Sequence, residues 1–157
     1  MSEIRVLEGP AAAQGRRAAI VAARFNDFIV ASLLKGAIET WQVCGGAPAD
    51  LTVARVPGAF ELPLVARKLG ASRRFDAIVA LGCVIRGDTP HFDYVAGECA
   101  RGLQLASLET GVPIAFGVLT VNTAEQALER AATAGANKGA EAMRTALEMA
   151  ALLARLE

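Results

Sequence analysis

The stretch richest in chemistry is "GCVIRGDTPHFDY", residues 82–94. Its start has the outline of a phosphate-binding P-loop: Gly82, then Gly87, then Thr89 two places on. A P-loop needs a lysine on the outer phosphates, and Asp88 stands there instead. Two residues after Thr89 comes His91, the only histidine of the chain. Thr89 followed by Pro90 fits a helix N-cap with proline at the first helical position. The free backbone N–H groups of such a start form an anion site. A phosphate monoester held by amides and the Thr89 hydroxyl fits this loop better than a nucleoside triphosphate. An imidazole beside that anion can accept and return protons near neutral pH. Taken alone, the same residues also fit a solvated histidine at an ordinary helix start.

Three other stretches add candidate groups. "ARFNDF" offers Phe25, beside Asn26, for stacking on a planar ring. "VPGAFELP" makes a turn shaped by Pro57 and Gly58, with Glu61 able to accept from the hydroxyls of a polyol. In "EQALERA", Arg130 has the fork geometry that grips a phosphate through two parallel hydrogen bonds. Each has a plain alternative. Phe25 fits a core aromatic, Glu61 a first-turn carboxylate favoured by the helix dipole, and Arg130 a surface residue on a helix that carries Glu125 and Glu129.

These groups need a frame, and the pattern supplies one. Strands are predicted at Arg17–Ala23, Leu51–Val56, Asp76–Ile85 and Pro113–Leu119, each an apolar run rather than an alternation, as for strands covered on both faces. Between them Val30, Leu33, Leu34, Ala37 and Trp41 fall at helical spacing. Further helices are predicted at Glu61–Leu69, Pro90–Leu108, Thr123–Ala134 and Lys138–Leu156. Strand–helix units repeated in this order predict a three-layer α/β/α sandwich, a single domain over residues 1–157, with a four-stranded parallel sheet. Right-handed crossovers then gather all four post-strand loops at one edge, where open α/β sheets bind ligands. A short leading strand, Ile4–Leu7, lacks a helix of its own.

Composition narrows the partners. Sixteen basic and sixteen acidic residues cancel, which argues against nucleic acid and an anionic membrane surface. The 54% apolar content comes without a run approaching the ~20 residues that span a bilayer, so the excess is expected to be buried between subunits. The start "MSEIRVLEGP" has no signal-peptide pattern, and a cytoplasmic location is expected. Cys44, Cys83 and Cys99 have no metal-like spacing and are expected to be reduced and packed.

The ordered set "ARFNDFI", "VPGAFELP", "DAIVALGCVIRGDTPHFDYV", "PIAFGVLT", "EQALERA" and "NKGAEA" resembles the 6,7-dimethyl-8-ribityllumazine synthase family of riboflavin biosynthesis. The resemblance runs from about Ile4 to the C-terminus and implies a flavodoxin-like fold. It implies condensation of 5-amino-6-(D-ribitylamino)uracil with 3,4-dihydroxy-2-butanone 4-phosphate, without metal or cofactor. By this resemblance Phe25 stacks on the pyrimidine, while Ala59, Phe60 and Glu61 hold the ribityl chain. Cys83, Val84 and Ile85 present backbone groups to the pyrimidine edge. Asp88 and Thr89, with Arg130, bind the phosphate, and His91 moves protons. Phe116 completes the pocket from a neighbouring subunit. Asn26, Lys138 and Glu141 match family motifs without an assigned role.

Two departures stand out. Asp88 replaces a small or neutral residue, and its carboxylate is expected to turn away from the phosphate. The linker "ATAGANKG" differs from the usual "GTKAGNKG" at equal length. The resemblance also implies a pentamer with each pocket shared between neighbours, and Ile4–Leu7, lacking a partner in its own crossover pattern, is expected to add to a neighbour's sheet edge. Closure into an icosahedral shell would depend on the bend at Ala134–Gly139, and riboflavin synthase would be a candidate partner. On the last helix Glu141, Arg144, Glu148 and Arg155 form a charged stripe, and Ala140, Met143, Leu147, Ala150 and Ala154 an apolar one. The competing readings are a phosphoester hydrolase or sugar-phosphate isomerase, which would need a second strong acid–base group in the third loop, and a non-catalytic lumazine- or flavin-binding protein on the same scaffold. The last would be expected to lose His91 or Arg130.

Overall fold

The computed structural model describes residues 3–132 and 136–157. Its centre is a four-stranded parallel sheet in the order β2-β1-β3-β4, made of β1 (Ala18–Ala23), β2 (Leu51–Val56), β3 (Ala77–Ile85) and β4 (Ile114–Val121). β2 has its expected bounds, and the other three start one residue later than expected. β4 also runs two residues further, to Val121, because it stays paired with β3 through Ile85. Five α-helices follow: α1 (Asp27–Val43), α2 (Leu62–Ala71), α3 (His91–Thr110), α4 (Ala124–Ala131) and α5 (Lys138–Arg155). α4 stops at Ala131, short of its expected end at Ala134, because Ala132 already turns to an extended conformation; residues 133–135, part of the bend at 134–139, lie outside the described residues.

Strand side chains alternate between two cores. Ala18, Ile20 and Ala22 of β1 join Val30, Leu33, Trp41, Met143 and Leu147 on the face covered by α1, α4 and α5. Ala19, Val21 and Ala23 join Leu62, Ala66, Cys99 and Leu103 on the face covered by α2 and α3. That is the three-layer, flavodoxin-like sandwich. β1 is small because both faces must accept a helix, and its six residues are all buried. α1 and α5 cross so closely that a Cβ on Gly139 would run into the Leu33 carbonyl. Asn137 seals that crossing: its side chain caps α5 through Ala140 N–H and donates to the carbonyls of Ser32 and Ala131.

Two expectations change. β2 is not covered on both faces: Thr52, Val53 and Arg55 are exposed, because β2 is an edge strand that only β1 flanks. The apolar stripe of α5 is carried by Ala142, Met143, Ala146, Leu147, Ala150 and Ala151, while Ala154 lies exposed near the helix end. Ile4–Leu7, expected to add to a neighbour's sheet edge, pairs with no strand of its own chain among the described residues, and Ile4 is 90% exposed.

Candidate active site

The chain runs from β1 out to the edge strand β2 and back across to β3. That reversal makes the carboxyl ends of β1 and β3 the switch point where open α/β sheets bind ligands. A cleft of about 730 Å³ lies there. β1 delivers Phe25 and Asn26 to it. The turn after β2, a 3-10 turn at Ala59–Glu61, delivers Ala59, Phe60 and Glu61. The end of β3 delivers Cys83, Val84 and Ile85, and the loop into α3 delivers Gly87, Thr89 and His91.

Local chemistry explains these placements. Asn26 takes the left-handed conformation at φ 61°, which asparagine tolerates better than most residues because its short side chain bonds locally. That turn lets its Nδ2 donate to the Cys83 carbonyl at 2.8 Å, tying the ends of β1 and β3 together beneath the cleft. Phe25 and Phe60 are 70% and 57% exposed. Two aromatic rings left in water beside a cleft are unfavourable in the free chain unless something flat covers them. Cys83 and Cys99 are buried, and loss of solvation pushes their thiols up to about 11 and about 12. They stay neutral near pH 7, and neither has the activated thiolate of a nucleophilic cysteine.

The start of α3 differs from the expected cap. The helix begins at His91, with Pro90 in the N-cap position and Thr89 one residue further out. Pro90 keeps a helix-like φ of −69°, but its ψ of 3° leaves the helical range. The Thr89 hydroxyl accepts from the His91 N–H at 3.4 Å, a long contact. The start of α3, whose His91 and Phe92 line the cleft, is therefore left without a close side-chain cap. Asp88 is exposed and does not line the cleft.

Phe116 and Arg130 are not in this cleft. They line a second one, of about 480 Å³, between β4, α4 and α5, together with Lys138 and Glu141. Phe116 is 49% exposed there. Arg130 donates to the Gln126 carbonyl one helical turn back at 3.0 Å and stands 3.8 Å from Glu129. Lys138 pairs with Glu141 at 3.0 Å. Arg130, expected to bind phosphate together with Asp88 and Thr89, thus lies apart from Thr89 within one chain, because α4 follows β4, at the far edge of the sheet from β2.

Sequence reasoning passed over Tyr94 and Phe92, which also line the first cleft. Tyr94 lies one helical turn after His91, a spacing that puts both on one face of α3. Among the described residues no cluster of His, Cys, Asp or Glu could hold a metal, and no helix is long and apolar enough to cross a membrane. A family model described as 6,7-dimethyl-8-ribityllumazine synthase matches residues 15–154.

Proposed function

Because this chain belongs to the 6,7-dimethyl-8-ribityllumazine synthase family, enzymes of riboflavin synthesis, we propose that it joins 5-amino-6-(D-ribitylamino)uracil to 3,4-dihydroxy-2-butanone 4-phosphate. The observation that carries this reading is the first cleft itself. Three strand ends bring an exposed aromatic ring, an acidic turn, a strip of strand backbone and the sole histidine around one space.

The chemistry distributes over those groups. The uracil ring lies on Phe25, and its edge meets the backbone of Cys83–Ile85. The ribityl hydroxyls donate to Glu61 within the turn Ala59–Glu61. The free amine attacks the ketone, and water leaves as the imine forms. Loss of a proton from the adjacent carbon then expels phosphate, and attack of the ribityl-bearing nitrogen on the resulting carbonyl closes the ring with loss of a second water. His91 carries protons between these steps. Holding amine and ketone in line supplies much of the acceleration, since effective molarities in oriented pairs reach about 10⁵–10⁸ M.

The separation of the two clefts adds a second part to the proposal. Phe116 and Arg130 share one cleft, so both come to the first cleft from the neighbouring subunit, and Arg130 grips there the phosphate that Thr89 meets from the other side. The assembly is a ring of five, closing further into a shell, and the protein works in the cytoplasm. Exposed Val53, Leu64, Leu108 and Met149 support burial between subunits. Mixing the purified protein with both substrates tests the reaction: lumazine absorbance should rise with equimolar phosphate release. Phosphate release without lumazine would point to a hydrolase instead.

A further inference from the structure

The loop that carries His91 has little to hold it. Residues 86–91 are all exposed, and the long His91 N–H contact to Thr89 is a bond within the loop itself. What ties this segment to the body of the protein is Arg86. Its backbone N–H donates to the Val121 carbonyl at the end of β4 at 2.8 Å. Its guanidinium then works in three directions. The plane lies over the Phe92 ring, 4.4 Å from the centroid; Nε donates to Asn122 Oδ1 at 3.0 Å; and Nη1 reaches Asp93 Oδ1 at 3.5 Å. Phe92 and Asp93 are the two residues that directly follow His91.

Asn122 is a fixed anchor rather than a floating partner. Its own N–H donates to Gln126 Oε1 at 2.8 Å, and the Gln126 N–H donates to Thr123 Oγ1 at 3.2 Å. The end of β3, the first turn of α3 and the turn from β4 into α4 are thereby bound into one unit. An isolated exposed ion pair fixes little. A stacked, planar guanidinium with donors in two directions fixes an orientation, and a lysine cannot reproduce it.

We propose that Arg86 is a positioning residue for His91, clamping the first turn of α3 so that the imidazole holds one orientation over the cleft. This rests on His91 being the proton carrier, and it assigns Arg86 no contact with either substrate. Displacing a catalytic group by about 1 Å costs up to about 100-fold in rate.

The test compares the parent with Arg86→Lys, Arg86→Met and Asn122→Ala, the last removing the anchor without touching the arginine. Turnover is measured with both substrates varied, and His91, as the sole histidine, is followed separately by its rate of carbethoxylation. Both Arg86 variants should lower kcat by about 10- to 100-fold while both KM values stay within about threefold. Asn122→Ala should move kcat in the same direction by less. Carbethoxylation of His91 should change in all three variants. Folded Arg86 variants with parental turnover and parental carbethoxylation would overturn the proposal. So would a rise in KM for the butanone phosphate with kcat unchanged, which would make Arg86 a phosphate ligand. If the parent itself makes no lumazine, the reaction assigned above fails, and the carbethoxylation rates still decide whether Arg86 holds His91.

Discussion

The two clefts of this chain are built from opposite materials. The first is assembled at the switch point from the ends of three strands, with aromatic rings, strand backbone and one imidazole around it. The second lies between β4, α4 and α5 and carries Arg130, Lys138 and Glu141 beside a single ring, Phe116. One can receive a flat, hydroxylated molecule and move its protons, yet it holds no cation for a phosphate. The other has the cations without the surface for a ring. Two half-sites that complement each other, placed on different edges of one chain, make sense if neighbouring copies in a ring bring them face to face. A head-to-tail interface of that kind closes into a ring by rotation.

The largest effect that separates the halves should come from His91. His91→Ala is expected to lower kcat by about 10- to 10⁴-fold, the span for a general acid–base group, with assembly and melting temperature unchanged. Because alignment does much of the work, the lower part of that span is expected. A variant as fast as the parent would take His91 out of the chemistry and leave the first cleft as a binding surface only.

Arg130→Ala should act on binding instead. A charge-assisted contact to phosphate contributes about 1.5–3 kcal/mol, so half-saturation by the butanone phosphate should rise by about 10- to 150-fold, far more than for the uracil. Arg130→Lys should recover only part of this, for want of the fork. Equal weakening toward both substrates would make Arg130 a structural residue of α4 and erase the contrast between the clefts.

Much of this was legible in the sequence, and the gaps have physical causes. The apolar runs set the strands to within two residues, because a strand covered on both faces tolerates no polar interruption. β2 reads the same way, yet it lies at the sheet edge with Thr52, Val53 and Arg55 exposed; a run of residues cannot say whether its cover comes from its own chain or another. Strand-end motifs and the family resemblance singled out Phe25, Glu61, Cys83, Thr89 and His91 of the first cleft but not Phe92 or Tyr94, and Asp88 lies outside it. The motif that named Arg130 carried no information on which edge of the sheet α4 would occupy, and so only Phe116 was assigned to a neighbouring subunit. Arg86 escaped notice because its partners, Asn122 and the Phe92–Asp93 pair, sit at no periodic spacing from it.

The smallest effect concerns pH. Burial raises the Cys83 thiol to about 11 and the Cys99 thiol to about 12 from an ordinary value of 9.0. Between these values the folded chain keeps protons that the unfolded chain has released, so stability falls as pH rises. The contribution is intact below about pH 9 and is lost as pH passes through about 11 to 12. Melting temperatures from pH 8 upward should decline less steeply in a Cys83→Ala, Cys99→Ala protein. An equal decline would mean that water reaches both thiols in the folded state, including the one at the cleft.

The division of one site between two chains is tested most directly by mixing. His91→Ala and Arg130→Ala subunits, each nearly inactive at low butanone phosphate, are co-assembled in equal amounts. A site that takes His91 from one subunit and Arg130 from the next is whole wherever an Arg130→Ala chain supplies the histidine and a His91→Ala chain the arginine. Random mixing in a head-to-tail ring should then restore about a quarter of parental activity. Mixed assemblies no more active than the average of the two variants alone would contradict it, and would return Arg130 and His91 to the same chain's site.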